Sequence, residues 1–343
     1  MLYISTRNKS DSYTAHRALH EDRTPDGGLF MPMQVPHFDK HQIVAMKSDS
    51  FFDNVARILN LFFPVRISAW DVKVCFGRSP ANLVSLGHRI TVAEIWHVLD
   101  SSYEKVVQRL YDKLAVADKP EPKPTNWAKV AIRIATLFGI FAKLDQVGYQ
   151  LTDIVVTTDD FSTPMAAWYA REMGLPVGTI LCACNENGAV WDLMHRGTFN
   201  TGSSVIHTKT PDLDISVPVG LERLIACVSG KEEMTSFVNS MEKHTVFQVC
   251  EETLESLKSA FDACVVGSRR VSNVISNVFK TSRYVMDPYA AICYGCLQDY
   301  RATAGERRDT VLLADRSPLL YIKSVAEATG LKQENLEDLI RQP

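Results

Sequence analysis

Two carboxylates, Asp159 and Asp160, stand where an α/β chain often binds phosphate, at the turn from a strand into a helix. The surrounding stretch, "TDIVVTTDDFSTPMAAWYAREMGLP" (residues 152–176), runs from β-branched residues through polar turn residues into a helix with clear ends. Ser162 or Thr163 can cap that helix, and Pro164 suits its first position. Gly174 can take the left-handed position after the helix, and Leu175-Pro176 stops it. Phosphate-binding loops at such sites carry glycines, because the backbone must approach the anion. Here two carboxylates can satisfy the free helix amides themselves, a favourable placement worth roughly 0.3–1 kcal/mol, and they would repel a dianion. As ligands for a hard cation they lack a third oxygen nearby, so no metal is expected.

Three other groups have reactive types. Glu104 and Lys105 are adjacent in "SSYEKVVQRLYDKL", a helix pattern with Ser101 or Ser102 as cap and Glu104 in the first turn. One helical residue turns by about 100°, so only one of the two side chains can face a given site. Cys293 and Cys296 have CxxC spacing but fall mid-helix with no second pair, which reads as core rather than zinc or redox chemistry. His16 and His20 share a helix face without a third ligand. No nucleophile elbow, Walker loop or dinucleotide fingerprint is present.

The elements that must position these residues alternate. "SFFDNVARILNLFFP" is an amphipathic helix capped by Ser50, and "TVAEIWHVLD" reads as a strand. "AVADKPEPKPT" (residues 115–125) interleaves three prolines with charge and reads as a stiff connector. It divides residues 1–114 from 126–343. Beyond it come a long buried helix from Asn126, the strand–loop–helix of residues 152–176, a strand in "VGTILCACNENGAV", and helices at 221–228 and 231–243. "EETLESLKSAFDAC" and "MDPYAAICYGCLQDYRA" read as helices, "DTVLLAD" as a strand and "SPLLYIKSVAEATG" as a helix. This alternation predicts an α/β fold with a mainly parallel sheet and helices on both faces. The 343 residues allow about two domains. A net charge of −3 and a mean hydropathy of −0.07 give no sign of nucleic-acid or membrane binding. The eight scattered cysteines read as reduced thiols of a cytoplasmic protein.

Several stretches together resemble the threonine synthase family, fold type II pyridoxal-phosphate (PLP) enzymes. "YISTR" with "TPDGGLFMP" looks like that family's opening signature, and "FFDNVARIL" follows in place. "NWAKVAIRIATLFGIF" is similar to its "INWARILAQ" helix. "MGLPVGTILCACNENG" resembles "MGLPI…ATNEND", "TPDLDISVPVGLERL" resembles "SPSMDISVPSNFERL", and "DPYAAICYGCL" resembles "EPHGAVAYRAL". The matches keep the family's order and cover most of the chain. They imply a tryptophan-synthase-β-like architecture.

The departures fall on chemistry. The family's small domain, with its Ser-Gly-Asp-Thr-Gly loop, has no counterpart, so residues 115–125 resemble a bridge across a lost domain. The family's "LFHGPTLAFKD" supplies the lysine that holds the cofactor aldehyde as an imine. With His97 aligned to that motif's histidine and no gap, Glu104 takes the lysine's place, and a carboxylate forms no imine. Asp159, Asp160, Phe161 and Ser162 stand in place of the "GNFGN" phosphate loop. Asp315, followed by Arg316 and Ser317, replaces the threonine of "TAHPAKF" near the pyridine nitrogen. Asp214, Glu222 and Arg223 match the family in type and read as structural.

The expectation is therefore a non-catalytic, PLP-free relative that acts by binding, regulation or assembly. Apolar surface exposed by the lost domain would be covered by a second copy or a partner. Two alternatives stand beside it. One is the family reaction, O-phosphohomoserine to threonine and phosphate, with PLP on Lys105. The other is a binder of a small amino-acid-like metabolite.

Overall fold

The computed structural model describes residues 1–77, 79–96, 102–116, 122–144, 148–304 and 307–341. Its centre is a six-stranded sheet. In chain order the strands are β1 (Asn82–Gly87), β2 (Ile90–Glu94), β3 (Thr152–Thr157), β4 (Val177–Cys184), β5 (Phe261–Val265) and β6 (Asp309–Ala314). The spatial order is β5-β4-β3-β6-β2-β1, parallel throughout except for the β1–β2 hairpin at one edge. The last strand in sequence thus lies in the middle. Val311 of β6 is opposite Thr91 on one side and Ile154 on the other.

The central strands are continuous apolar runs, as a sheet covered on both faces requires. On one face pack α2 (Trp127–Lys143) and α3 (Ser162–Glu172); on the other pack the helix Ser268–Ser282 and α6 (Pro288–Thr303). The helix α1 (Glu104–Ala115) lies against α2. This is the mixed α/β architecture expected from the sequence. The proline-rich connector does not separate two sheets, because β1 and β2 precede it and pair within the same sheet as the strands that follow it. Residues 117–121 of that connector lie outside the described residues.

A smaller layer holds the N-terminus. Leu2–Ser5 pairs antiparallel with both Ser12–Thr14 and Phe30–Pro32. It joins the main core through Tyr3, whose hydroxyl donates to Phe62 O at 2.8 Å and accepts from Trp127 Nε1 at 3.1 Å. Arg223 of α4 (Leu221–Val228), fully buried, donates to Phe30 O at 2.9 Å and to Thr125 O. One guanidinium thereby ties the N-terminal layer, the end of the connector and α4 together.

Local expectations are corrected at two places outside the site. The helix at 162–172 is not capped by Ser162 or Thr163: Phe161, at φ +66°, holds the cap position, Ser162 is already helical and Pro164 is its third residue. The reason is Asp160, whose carboxylate accepts the Ser162 N–H at 2.9 Å and closes the turn from two residues upstream. The far end follows the pattern, with Gly174 at φ +96°, its N–H on Arg171 O and the Leu175 N–H on Ala170 O, a Schellman arrangement. The second correction concerns "EETLESLKSAFDAC". The helix stops at Lys258, and Phe261–Val265 becomes edge strand β5, with Phe261 and Ala263 turned into the core.

Candidate functional site

Three parallel strands, β2, β3 and β6, end side by side, and the residues just beyond them converge. In α/β sheets the carboxyl ends of the strands are where ligands bind. After β3 come Asp159 and Asp160, and after β6 come Asp315 and Arg316. The start of α1 is fastened there: Ser102 bridges Arg316, and the Tyr103 N–H donates to Asp315 O at 2.7 Å. That fastening replaces the serine cap read from the sequence. Tyr103 holds the cap position, and Ser101 and His97 lie outside the described residues.

Glu104 then faces α2. Its carboxylate pairs with Lys129 Nζ at 3.0 Å and with the Arg133 guanidinium. Asp160 reaches the same Lys129 at 3.3 Å. Arg133 also donates to Thr163 Oγ1 at 3.1 Å and to Lys129 O at 3.2 Å. A second knot surrounds Arg316, which pairs with Asp315 at 2.6 Å, Asp212 at 3.1 Å and Asp159 at 3.3 Å. Its guanidinium lies 3.9 Å from the Tyr289 ring centre, a cation–π contact. Glu104, Asp159, Asp160 and Asp315 are thus brought together. Lys105 is not among them. One residue along the helix, it is exposed to solvent while Glu104 is turned inward.

Burial and charge set the protonation of these groups. Arg133 and Lys129 outweigh burial at Glu104 and hold its carboxyl below the usual range. Burial opposes ionisation of Asp160, but Arg133, Lys129 and the hydrogen bonds from Ser162 win, so it also lies low. Asp159 goes the other way. Burial and the Asp160 charge beside it push its carboxyl up to about 7, against the pull of Arg316. Its Oδ1 is buried without a hydrogen-bond partner. Asp287, buried at the cap of α6 and facing Asp315, is likewise raised to about 7.

Little space remains beside these charges. A cavity of about 20 Å³ lies between Tyr103, Arg133, Thr136, Thr163 and Asp315, room for about one water molecule. The loop itself is filled. Asp160 occupies the Ser162 amide and hydroxyl, and its own carbonyl accepts the Gly220 N–H at 3.0 Å. A Cβ on Gly220 would lie 2.6 Å from that carbonyl, so the entry to α4 is locked against the loop. Among the described residues no group of three potential ligands is placed to hold a metal ion. No described helix is long and apolar enough to cross a membrane.

The family model described as the threonine synthase N terminus matches residues 2–79. "Threonine synthase" of Eremothecium gossypii is 24% identical over 234 residues, 63% of this chain and 45% of that protein. The chain is thus similar to the threonine synthases, over less than half the length of that curated relative. Human "Threonine synthase-like 1" is 26% identical over 174 residues, 49% of this chain. The match spans only 23% of that relative's length. The solved PLP-bound threonine synthase of Brucella melitensis superposes with a TM-score of 0.86 at 19% identity, covering 100% of this chain and 95% of that one. The fold expected from the threonine synthase motifs is therefore the fold observed.

The remaining assignments also find their places. Glu222 accepts from Thr6 Oγ1 at 2.6 Å and from Arg7 Nε at 3.0 Å. Asp214 accepts from Asn185 Nδ2 and from the Thr208 amide, each at 2.7 Å. Cys293 and Cys296 are fully buried. Lys129, Arg133 and Asp212 were not singled out from the sequence. A signal existed for the first two: cations spaced i, i+4 in an otherwise apolar helix require partners, because a lone buried charge is prohibitive. Nothing local marks Asp212, whose part depends on the fold bringing Arg316 to it.

Proposed function

We propose that this chain is a non-catalytic, PLP-free threonine-synthase-like protein that acts by binding a partner. One observation carries the reading. Glu104, which the motif resemblance puts at the family's lysine position, is committed to Lys129 and Arg133. An imine with the cofactor aldehyde needs a free amine at that place. The phosphate side supports the same view, since Asp160 already occupies the helix-start amide that an anion would use. The residues present do not fit pyridoxal phosphate. Lys105, exposed on the outer face of α1, gives the enzymatic alternative no support. The cleft of about 20 Å³ gives little to a metabolite binder.

The reading includes self-association. Trp70 and Val74, at 61% and 41% exposed, lie on a helix tied to the end of α1 by the Lys113–Asp71 pair. Val116, 75% exposed, ends α1 where the connector begins. A second copy covering this side would bury apolar surface left by a missing domain. A monomeric mass at all concentrations, unchanged by Trp70→Ser, would remove this part of the proposal.

The decisive experiment is an absorption spectrum with added PLP, before and after borohydride, followed by peptide mapping. We expect no aldimine band and no labelled lysine. A band with a reduced adduct on Lys105 or Lys129 would overturn the reading.

A further inference from the structure

Away from the sheet's carboxyl edge, a second cavity of about 190 Å³ opens between the loop after the first N-terminal strand and the corner where α4 meets α5 (Lys231–Lys243). We propose that this cavity is an anion-binding site for a phosphate dianion, free or as a small monoester. The volume is below the 300–1,000 Å³ or so of drug-sized sites, which suits a small ion or headgroup. Its lining includes three cationic side chains, Arg7, Lys9 and Lys231, with the hydroxyls of Ser10 and Ser229.

The charges are unequally committed, and that defines the site. Arg7 is held by Glu222 through Nε at 3.0 Å and Nη2 at 3.2 Å, so it forms a fixed and largely neutralised wall. Lys9 donates one proton to Ala226 O, in the last turn of α4, at 2.8 Å. That single bond anchors the side chain across the cavity and leaves two donors on its ammonium. Neither Lys9 nor Lys231 forms an ion pair among the described residues. Gly230 precedes α5 without a side-chain cap, and a Cβ on it would meet nothing within 4 Å, so the space beside the start of α5 is open. Of the acids in the first turn, Glu233 is turned away onto the Cys250 amide and Thr253 Oγ1, and Glu232 is exposed. The remaining donors of Lys9, the Lys231 ammonium, the Ser10 hydroxyl and the uncapped start of α5 around one cavity form a donor set for a compact dianion.

The cavity shares no lining residue with the cleft at Arg133 and Asp315. The inference therefore stands or falls apart from the function proposed above. The test is calorimetric titration of the intact chain with inorganic phosphate, against sodium chloride at equal ionic strength, with thermal melting in parallel. We expect saturable binding and a raised melting temperature. Lys9→Gln and Lys231→Gln should each weaken binding about tenfold, the loss of one charge-assisted hydrogen bond. Both variants should melt like the parent without phosphate, and Lys258→Gln should bind like the parent. Phosphoserine as a second probe separates sources: binding of both identifies a monoester site, and phosphate alone identifies a free-ion site. No saturable heat beyond the chloride control, or variants that bind like the parent, would overturn the proposal.

Discussion

At the carboxyl edge of the sheet, Lys129, Arg133 and Arg316 each face at least one carboxylate. At the α4–α5 corner, Lys9 and Lys231 face none among the described residues. Both places gather cations from distant parts of the sequence. In the first, burial forces the charges onto one another, since a lone buried ion costs several kcal/mol by rough measure. Those charges are then consumed by the fold. In the second, solvent reaches the cavity, the ammonium groups stay hydrated, and nothing compels pairing.

The sharpest way to break this contrast is Arg316→Gln. It strands Asp159, Asp212 and Asp315 around an uncharged side chain, and unfolding by urea should show a loss of about 3–5 kcal/mol. A loss under about 1 kcal/mol would mean that the network is solvated, as surface pairs are.

A second test uses pH. The folded carboxyl of Asp287 titrates near 7, above an unfolded value near 3.9. The folded state therefore holds the proton between these values, and stability falls as pH rises through that window, then levels above it. Asp159 contributes in the same direction, and Glu104 and Asp160, with lowered values, contribute stability that is lost on acidification. Asp287→Asn should leave stability near pH 4 almost unchanged and raise it at pH 8, by at most about 4 kcal/mol at 1.4 kcal/mol per unit. Equal effects at both values would contradict the raised carboxyl.

Gly220→Ala comes next. Its Cβ would lie 2.6 Å from Asp160 O and 3.0 Å from Phe161 Cβ, so the acidic loop and the start of α4 must part. A cost of about 1–3 kcal/mol is expected in thermal unfolding. The smallest effect belongs to Lys231→Gln, whose stability without anion should stay within about 0.5 kcal/mol of the parent. A larger loss would show that this ammonium, too, serves the fold.

Much of the architecture was legible because its signals are local. Ser50 does cap the helix Phe51–Phe62, and the β-branched run at 154–156 is a central strand. The order of β6 between β3 and β2 was not legible, since pairing partners are separated by more than 150 residues. The cap at Phe161 was misread because an αL residue gives no pattern of its own, and Asp160 decides the turn through its hydrogen bond to Ser162.

The sequence by itself determined the alternation of strands and helices and the resemblance to the threonine synthases, since each is written in residue type and spacing. Only the tertiary structure decided where the charges go. Lys129 and Arg133 on one helix, Glu104 on another and Asp160 on a loop become partners because the fold buries both cations and Asp160 and so leaves them little water to turn to. Lys9 and Lys231 have no ion pair among the described residues because the fold leaves their cavity open.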